Sequence, residues 1–421
     1  MSYTRRGVLG SLAGGASGAV AGCLGRSRDP PEDGSAVTGT PEPTPGSQTS
    51  DEPLVDLGVP CTGPEGVVDL SGGRPATEFE RAAATPTAEY ADGEIPLRET
   101  ALHLGHELTK LADHDMSGGV NHDGIPSIDA PRFARGDEIE LPGCARVFGV
   151  DLDGDVRAYP QRILVRHEIV NDVIGGEPVA VTYCPLTGTA QGFYRGGVEF
   201  GVSGQLVNSN LVMWDRHRDV RWSQVAATAF EVGDQRGSDD GGLLGRSLRE
   251  FRLFWTTWNR WLSRHPDTLV MTEETGLARN YNRDPYGSYG PPVSGHYAPG
   301  EPRRPNFPLL TYDEADEKRV VVGARTPDGA VAFDKRALME SSVLTGAIAG
   351  TPVVAVADRE LAVGYVYANP EGVEVEPDGD EYAVDGRTAP PDGLPLDRLD
   401  AFDAMWFAWY GFYPDTDRVG I

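Results

Sequence analysis

One stretch of this chain occurs twice, and this internal repeat constrains the fold more than any other feature of the sequence. Residues 147–184 align without gaps on residues 321–358, and nine of the 38 aligned positions are identical. Roughly two or three identities would be expected by chance at ordinary composition. Residues 255–268 align in the same way on residues 403–416. The repeat therefore predicts two related folding units, a first copy and a second copy.

The two copies differ most in their polar side chains, and this difference separates the predicted scaffold from candidate chemistry. Residues shared by both copies, such as Gly149 and Gly323, are predicted to be structural. Among the polar residues present in the first copy only, five stand out: His167, Asn171, Asp172, Tyr183 and Cys184, which lie opposite Ser341, Thr345, Gly346, Ala357 and Asp358. We therefore expect a functional site in the first copy and a degenerate, structural second copy.

The order of elements in the first copy follows from its apolar spacing. Residues 146–152 and 155–159 read as two strands joined by the turn signal Asp153-Gly154. Apolar residues from 163 to 174 recur at helical spacing, which predicts a helix with His167 on its inward face. A β-rich run over 178–183 then leads to Cys184. An imidazole on a helix face and a thiol at a strand end can therefore meet at one edge of the domain.

The second copy repeats this order, with a helix near 335–347, and both copies end in a tryptophan-bearing segment, 248–264 and 396–412. We predict an α+β fold of two tandem homologous β-rich domains. Each domain is expected to contain a β-hairpin, one helix packed on a short, mostly antiparallel sheet, and a C-terminal Trp-bearing helix. The predicted bounds are 54–300, which includes a lead-in, and 305–421.

The N-terminal residues predict a targeting signal that is not part of the folded protein. Arg5-Arg6 has the form of a twin-arginine export signal, and the small-residue apolar run after it ends at Cys23 in a sequence that looks like a lipobox. Residues 1–23 are therefore the predicted signal, and residues 24–53, rich in Pro, Gly, Ser and Thr, are a predicted disordered tether. We expect lipid on Cys23 to attach the protein to the extracytoplasmic face of the membrane.

The charge balance restricts the partners. The chain has 64 Asp and Glu residues against 37 Lys and Arg residues, a net charge of −27 at pH 7. This excess disfavours nucleic acid and anionic lipid as partners. An acidic, lysine-poor, exported chain resembles proteins of salt-loving archaea, in which high salt screens self-repulsion. A simply acidic secreted protein is the alternative.

Four cysteines are present. With Cys23 lipidated, an exported chain has one possible pair and one free thiol among the other three. If a pair forms, Cys61 and Cys144 are the expected partners, because neither lies in the reactive-looking segment. Cys184 is then the free thiol.

Several runs in the chain resemble one known family. These runs are Asp123-Gly124-Ile125-Pro126, His167-Glu168-Ile169-Val170-Asn171-Asp172, Thr182-Tyr183-Cys184-Pro185-Leu186-Thr187-Gly188, Gly201-Val202-Ser203-Gly204, Trp214-Asp215-Arg216, Trp222-Ser223-Gln224 and His265-Pro266-Asp267-Thr268. Over about 115–290 they resemble the domain of unknown function 3179 family. The resemblance implies no activity, because that family has none established. Many relatives carry a second cysteine where this chain has Thr187, which weakens a Cys-x-x-Cys interpretation.

Thiol-dependent catalysis is the first functional hypothesis. A nearby imidazole can lower the pKa of a thiol and act as its general base, which assigns Cys184 as nucleophile and His167 as base. Asn171 or Asp172 would orient the ring by accepting its other N–H. Arg216 would hold an anionic group of the substrate.

Three other interpretations of the same residues remain open. Cys184, His167 and Met213, or His217 in place of Met213, could hold a transition metal, with copper favoured by the softness of these ligands. The site could bind a small solute without catalysis. Cys184 could also be a buried structural cysteine beside a core histidine.

A set of polar and aromatic residues extends the candidate site. Tryptophans that alternate with charges can line a pocket for a polar ligand, although they can also pack a loop. The predicted substrate-binding residues are Tyr183, Asn208, Trp214, Asp215, Arg216 and Ser223. Two weaker signals are His103 with His106, three apart on a helix-like segment, and an aromatic loop that could cover a site or serve as a strap. That loop contains Tyr281, Asp284, Tyr286 and Tyr289.

Overall fold

Short, mainly antiparallel sheets make up most of the described chain, with five short helices between them. The computed structural model describes residues 86–231, 241–281, 286, 305, 307–310 and 316–421. We call residues 86–281 the N-terminal half and residues 316–421 the C-terminal half. The predicted signal with Cys23, the tether, and the residues Cys61, Asp284 and Tyr289 lie outside the described residues. Among the described helices, none is long and apolar enough to cross a membrane.

The described elements of the N-terminal half follow one another in short segments. In chain order they are α1 (Leu108–Asp113), β1 (Asp115–Ser117), β2 (Phe133–Arg135), β3 (Arg146–Leu152), β4 (Asp155–Pro160), α2 (Gln161–Leu164), β5 (Ile169–Ile174), β6 (Glu177–Cys184), β7 (Thr189–Tyr194), β8 (Phe200–Val207), β9 (Asn210–Asp215), β10 (Arg221–Ser223), β11 (Ala229–Phe230), β12 (Glu250–Phe251), β13 (Phe254–Thr257), α3 (Trp258–Arg264) and β14 (Leu269–Met271).

The C-terminal half is shorter. Its described elements are β15 (Val320–Arg325), β16 (Ala330–Asp334), α4 (Lys335–Ser341), β17 (Val343–Ile348), β18 (Thr351–Asp358), β19 (Val363–Ala368), β20 (Val375–Asp378), β21 (Glu381–Val384), β22 (Arg387–Ala389), β23 (Asp397–Leu399), β24 (Ala401–Met405), α5 (Trp406–Phe412) and β25 (Asp417–Val419).

Two sheets of one half have counterparts of the same strand order in the other. The orders β13-β3-β4-β14-β2 and β12-β7-β6-β5 correspond to β24-β15-β16-β25 and β23-β19-β18-β17. The parallel pairs also correspond, because β14 pairs with β4 and β25 pairs with β16. Each half adds one sheet of its own, β1-β8-β9-β10-β11 or β20-β21-β22. The predicted antiparallel, β-rich architecture is therefore present in both halves.

The predicted long helix over 163–174 is wrong. Helix α2 ends at Leu164, and β5 occupies Ile169–Ile174 with all six residues buried. A strand that is buried on both faces gives a continuous apolar run, and helical spacing cannot be distinguished from it. Its β-branched residues also favour a strand. The same correction applies to the helix predicted near 335–347, because α4 ends at Ser341 and β17 follows.

The tryptophan helices are also shorter than predicted. Helix α3 begins at Trp258 and α5 begins at Trp406, because strands β12, β13, β23 and β24 occupy the residues before them. Each helix begins directly after a strand that pairs with the first strand of the hairpin in the same half. The C-terminal helix of each half therefore packs against its own hairpin sheet.

An indole lies over a glycine at equivalent places in the two halves. A Cβ atom added at Gly149 would collide with the ring of Trp261, and one added at Gly323 would collide with the ring of Trp409. The indole nitrogens of Trp261 and Trp409 donate to the hydroxyls of Thr268 and Thr416, each at 3.0 Å. These contacts explain why glycine, tryptophan and threonine are identical in the two aligned stretches.

The two halves share their core. One buried cluster combines Phe148 and Tyr183 of the N-terminal half with Val320, Met405 and Phe407 of the C-terminal half. The backbone N–H of Met405 donates to the carbonyl of Thr187 at 3.0 Å. The described residues from 86 onward accordingly belong to one compact unit.

We predict that Gly149→Ala and Gly323→Ala each lower the free energy of unfolding by roughly 1–3 kcal/mol, since the added methyl group overpacks a buried indole. Urea denaturation followed by tryptophan fluorescence measures the change. Gly329→Ala is the matched control, because a Cβ there would meet its neighbours at the ordinary contact distance of 3.4 Å. Equal stability of the three variants would contradict this account of the repeated glycines.

Candidate functional site

Cys184 lies at the end of β6, where its side chain is 1% exposed. Its thiol donates to the carbonyl of Ser209 at 3.6 Å. Burial raises the pKa of this thiol to about 11, and the nearby carboxyl of Glu168 adds to the rise. Hydrogen bonds from Thr187 and Leu211 oppose the rise but do not cancel it. A buried thiol of this kind is largely protonated at neutral pH and is a poor nucleophile.

The equivalent position in the C-terminal half indicates what Cys184 does for the fold. Asp358 occupies it, and its carboxylate accepts the backbone N–H of Leu361 at 2.9 Å. Leu361 is the counterpart of Thr187, whose backbone hydrogen-bonds to Cys184. Both side chains therefore hydrogen-bond to the backbone of the first turn after equivalent strands, β6 and β18.

His167 has its own partners, and Cys184 is not among them. The ring is buried in the turn between α2 and β5. Its Nδ1 lies 2.7 Å from the carbonyl oxygen of Pro126, and its Nε2 lies 2.7 Å from the hydroxyl of Tyr281. A carbonyl can only accept, so Nδ1 donates to it, and Nε2 of the neutral ring accepts from the tyrosine. Burial lowers the pKa of His167, which favours this neutral form.

The orienting role predicted for Asn171 and Asp172 is wrong. The amide of Asn171 donates to Asp129 and to the carbonyl of Phe200, and its oxygen accepts the N–H of Phe200. The carboxylate of Asp172 accepts from Arg157 at 2.8 Å and from Tyr159 at 2.5 Å. Both residues are therefore structural, because their hydrogen-bonding groups point to neighbouring strands and away from the imidazole.

Arg216 is saturated by carboxylates of the protein, so an anion clamp is not formed there. Its guanidinium forms ion pairs with Asp123, Asp129 and Glu199 at 3.2, 2.8 and 3.3 Å, and it donates to Ser127. These bonds attach the segment around residues 123–129 to β9. In a chain of net charge −27 such a cluster also offsets local repulsion between acidic residues.

The other predicted substrate-binding residues are bonded within the protein. Trp214 donates to Asp123, and the side chain of Asp215 accepts from Arg218 and Trp222. Asn208 donates to the carbonyl of Ala408, and its oxygen accepts the N–H of Leu309. The hydroxyl of Tyr183 accepts from Gln161, and that of Ser223 accepts from Ala226. The structure thus places Tyr183, Trp214, Asp215 and Ser223 in strands, and Asn208 in the turn after β8, where it contacts the C-terminal half.

The predicted metal ligands do not converge in the described part of the chain. No group of three or more His, Cys, Asp or Glu residues there is arranged to hold a metal ion. Met213 lies in the same buried apolar cluster as Cys184, whereas His217 is paired with Asp92 at 3.5 Å. Both ring nitrogens of His167 are already hydrogen-bonded.

His103 and His106 do not lie on a helix, because α1 begins at Leu108. His103 contacts Asp415, and His106 contacts the carbonyl of Gly411. Both bonds attach the lead-in segment to the C-terminal half. Cys144 is disulfide-bonded, and Cys184 is the free cysteine of the described residues. The partner of Cys144 lies outside those residues, so its pairing with Cys61 stays a prediction.

Glu168 is the candidate residue that sequence reasoning missed. Its side chain is 7% exposed, and burial is the sole cause of its shifted pKa, with no hydrogen bond contributing. Burial raises its pKa from 4.5 to about 8, so the carboxyl is mainly protonated at neutral pH. The comparison of the copies could have found it, because Ser342 stands at the equivalent position.

The backbone at Glu168 is part of the scaffold, whereas its side chain is not. Glu168 and Ser342 both have a left-handed backbone, with φ of 60° and 69°. Their N–H groups donate to Leu164 and Leu338, at 2.7 and 2.8 Å. The bend therefore belongs to the fold of both halves, and only the carboxyl distinguishes the N-terminal one.

Ser209 adds a second unsatisfied group beside the thiol. Its hydroxyl is buried and has no hydrogen-bond partner, while its carbonyl accepts from Cys184. A fully bonded network of Thr187, Thr189, Asn210 and Gln224 lies next to it. The carboxyl of Glu168, the thiol of Cys184 and the hydroxyl of Ser209 form what we call the Glu168 centre.

These features define a β-rich protein with two halves of matching strand order and a buried polar centre in the N-terminal half. A model of the family described as "Protein of unknown function (DUF3179)" matches residues 122–416. This match covers more than half of the chain, so the chain belongs to that family. The matched segment ends at residue 416, well beyond the 290 expected from the sequence, and includes most of the C-terminal half. No curated protein and no solved structure matches the chain.

We predict that Glu168→Gln stabilises the protein more at pH 8 than at pH 5. Glu168 has a raised pKa in the folded state, so its ionisation in the unfolded state favours unfolding as pH rises from about 4.5 to about 8. Gln imitates the protonated carboxyl, and the gain should approach a few kcal/mol at pH 8. Urea unfolding across this pH range measures it, with Glu376→Gln on exposed strand β20 as control. A gain independent of pH would contradict the protonated, buried state.

Proposed function

We propose that this protein is an extracytoplasmic binding protein that holds a small, uncharged polar solute at the Glu168 centre without forming a covalent bond to it. The two halves are, in this proposal, homologous copies of one ancestral unit. The C-terminal copy stabilises the N-terminal copy through the shared core. A serine and an aspartate replace Glu168 and Cys184 there, so this copy does not bind the solute.

The unpartnered carboxyl of Glu168 is the observation that carries the proposal. The buried hydroxyl of Ser209 also has no hydrogen-bond partner. A buried polar group without a hydrogen bond costs roughly 1–3 kcal/mol, and native proteins rarely leave one unexplained. Most other polar residues of the motif are satisfied by their neighbours. A bound solute would supply the missing partners of Glu168 and of the hydroxyl of Ser209.

The protonation states at the centre favour an uncharged ligand. At neutral pH the carboxyl of Glu168 can donate one hydrogen bond and accept others. The thiol of Cys184 is a weak donor, and the hydroxyl of Ser209 can donate or accept. A hydroxyl or amide group matches this mixture, whereas an anion would meet a carboxyl that readily becomes negative as pH rises.

The same geometry disfavours the two other functional hypotheses. Thiol catalysis requires a base in contact with the sulfur, and the imidazole of His167 is bonded to Pro126 and Tyr281 instead. A transition metal requires further ligands beside Cys184, and the histidine nitrogens that would serve are occupied. The thiol is better explained as part of the turn after β6.

A thermal-shift screen of neutral polyols, sugars and amides tests the binding proposal. We expect at least one compound to raise the melting temperature of the wild type and of Glu168→Gln, which keeps a hydrogen-bonding group. Glu168→Ala should lose the shift, whereas exposed Glu376→Ala should keep it. Lack of any shift in the wild type would overturn the proposal.

The alkylation rate of the Cys184 thiol is a second, separate test. Iodoacetamide should label native Cys184 far more slowly than the same residue in urea, and Cys184→Ser should retain the thermal shifts. Fast labelling at neutral pH that depends on His167 would instead support thiol catalysis.

Export and lipid attachment remain part of the proposal. The support is the order of the sequence signals, in which the arginine pair, the apolar run and Cys23 precede a polar tether. We predict that Cys23→Ser moves the protein from the membrane fraction to the soluble fraction, because the lipid supplies the attachment. Mass spectrometry of the N-terminal peptide measures the modification directly. An unmodified Cys23 in membrane-bound wild type would contradict lipid anchoring.

A further inference from the structure

A cavity of about 420 Å³ lies between the two halves, away from the residues of the Glu168 centre. Equivalent segments of the two halves line it, 250–254 from one and 398–402 from the other. Gln191 and Tyr365, which occupy equivalent positions in β7 and β19, also face it. Its size is within the range of cavities that enclose small organic ligands.

Two of the acidic residues of this cavity are paired with arginines. Glu250 is paired with the buried Arg325 at 2.9 Å, and Asp400 is paired with Arg98 at 2.9 Å. Asp151 accepts the N–H of Gly154 in the hairpin turn. Asp392 is exposed at the rim. The charges of Glu250 and Asp400 are thus partly offset by arginines, and Asp151 and Asp392 are exposed to solvent, which screens their charges.

Two arginines that line the cavity have no carboxylate partner among the described residues. In the described part of the chain, Arg252 and Arg398 form no ion pair with a carboxylate, although both line the cavity. The guanidinium of Arg252 donates to the carbonyls of Ala401 and Gly364, and its Nε has no partner. The Nη1 of Arg398 is 3.4 Å from the carbonyl oxygen of Asp392.

Both guanidiniums are fixed by one aromatic ring. The ring of Tyr365 lies 4.4 Å from the guanidinium carbon of Arg252 and 6.0 Å from that of Arg398. Cation–π contacts of this kind hold arginines in place without neutralising them. Two positive groups thus share one cavity in a protein of net charge −27.

We infer that this cavity is a second binding site, which takes a small organic carboxylate. The planar guanidinium matches a carboxylate with two parallel hydrogen bonds, and Arg398 has donors available for them. Phe251, Phe254 and Phe402 line the same cavity and would contact the apolar part of the ligand. An inorganic oxyanion would leave these rings and most of the volume unused.

Isothermal titration of the full chain with acetate, succinate and benzoate tests the inference. At least one carboxylate should bind the wild type, and Arg398→Gln should weaken that binding by roughly tenfold or more, because a charge-assisted pair is lost. Arg387→Gln, on exposed strand β22, is the matched control and should bind like the wild type. Arg398 is exposed, so its replacement should leave the fold intact, which circular dichroism checks.

Three further arms separate the alternatives. Benzamide, the uncharged counterpart of benzoate, should not bind, and sulfate should bind more weakly than the best carboxylate. Glu168→Ala should leave carboxylate binding unchanged, so that failure at one site is distinguishable from failure at the other. No binding of any carboxylate, equal binding to Arg398→Gln, or sulfate as the preferred ligand would each overturn the inference.

Discussion

The contact between an indole and a glycine backbone organises both halves of this protein. Trp261 and Trp409 lie where a Cβ atom at Gly149 or Gly323 would intrude, and each indole is fixed by a threonine hydroxyl. The contact packs the C-terminal helix of each half against its own hairpin sheet. Buried side chains of both halves also meet in shared clusters, which produces one core from two sets of strands.

This scaffold explains why so many polar motif residues have no available chemistry. Short strands and tight turns leave backbone groups that need side-chain partners, and Asn171, Asp172 and Asp215 supply them. Cys184 has the same role as Asp358 in the other half, since each satisfies the turn after its strand. Residues that differ between the copies can therefore be structural in one copy, and a difference alone does not identify a site.

The sequence contained more information about the sheets than about the site. The hairpins and the strands that end at Cys184 and Asp358 were predicted correctly, and the tryptophan helices were predicted in the right places but too long. It failed at 163–174, because an apolar strand buried on both faces has no alternation that distinguishes it from a helix. Because of this error, His167 was placed on a helix face. The sequence then predicted that its imidazole lies close to the thiol of Cys184.

The site could not be predicted because hydrogen-bond partners far apart in sequence decide which polar groups are free. Pro126 and Tyr281 satisfy His167 from 41 and 114 residues away. Glu168 is a candidate because it lacks such distant hydrogen-bond partners, and no local sequence pattern can indicate that a partner is absent. The repeat gave one clue, the change from glutamate to serine at equivalent left-handed residues.

The protonation state of Glu168 is the most direct test of this account. A carbon-13 NMR titration of the carboxyl groups, with Glu168 assigned by the signal missing from Glu168→Gln, measures its pKa in the folded protein. We expect a value of about 8. A value near 4.5 would show that the carboxyl is solvated or paired with a cation, and the proposed centre for an uncharged solute would be contradicted.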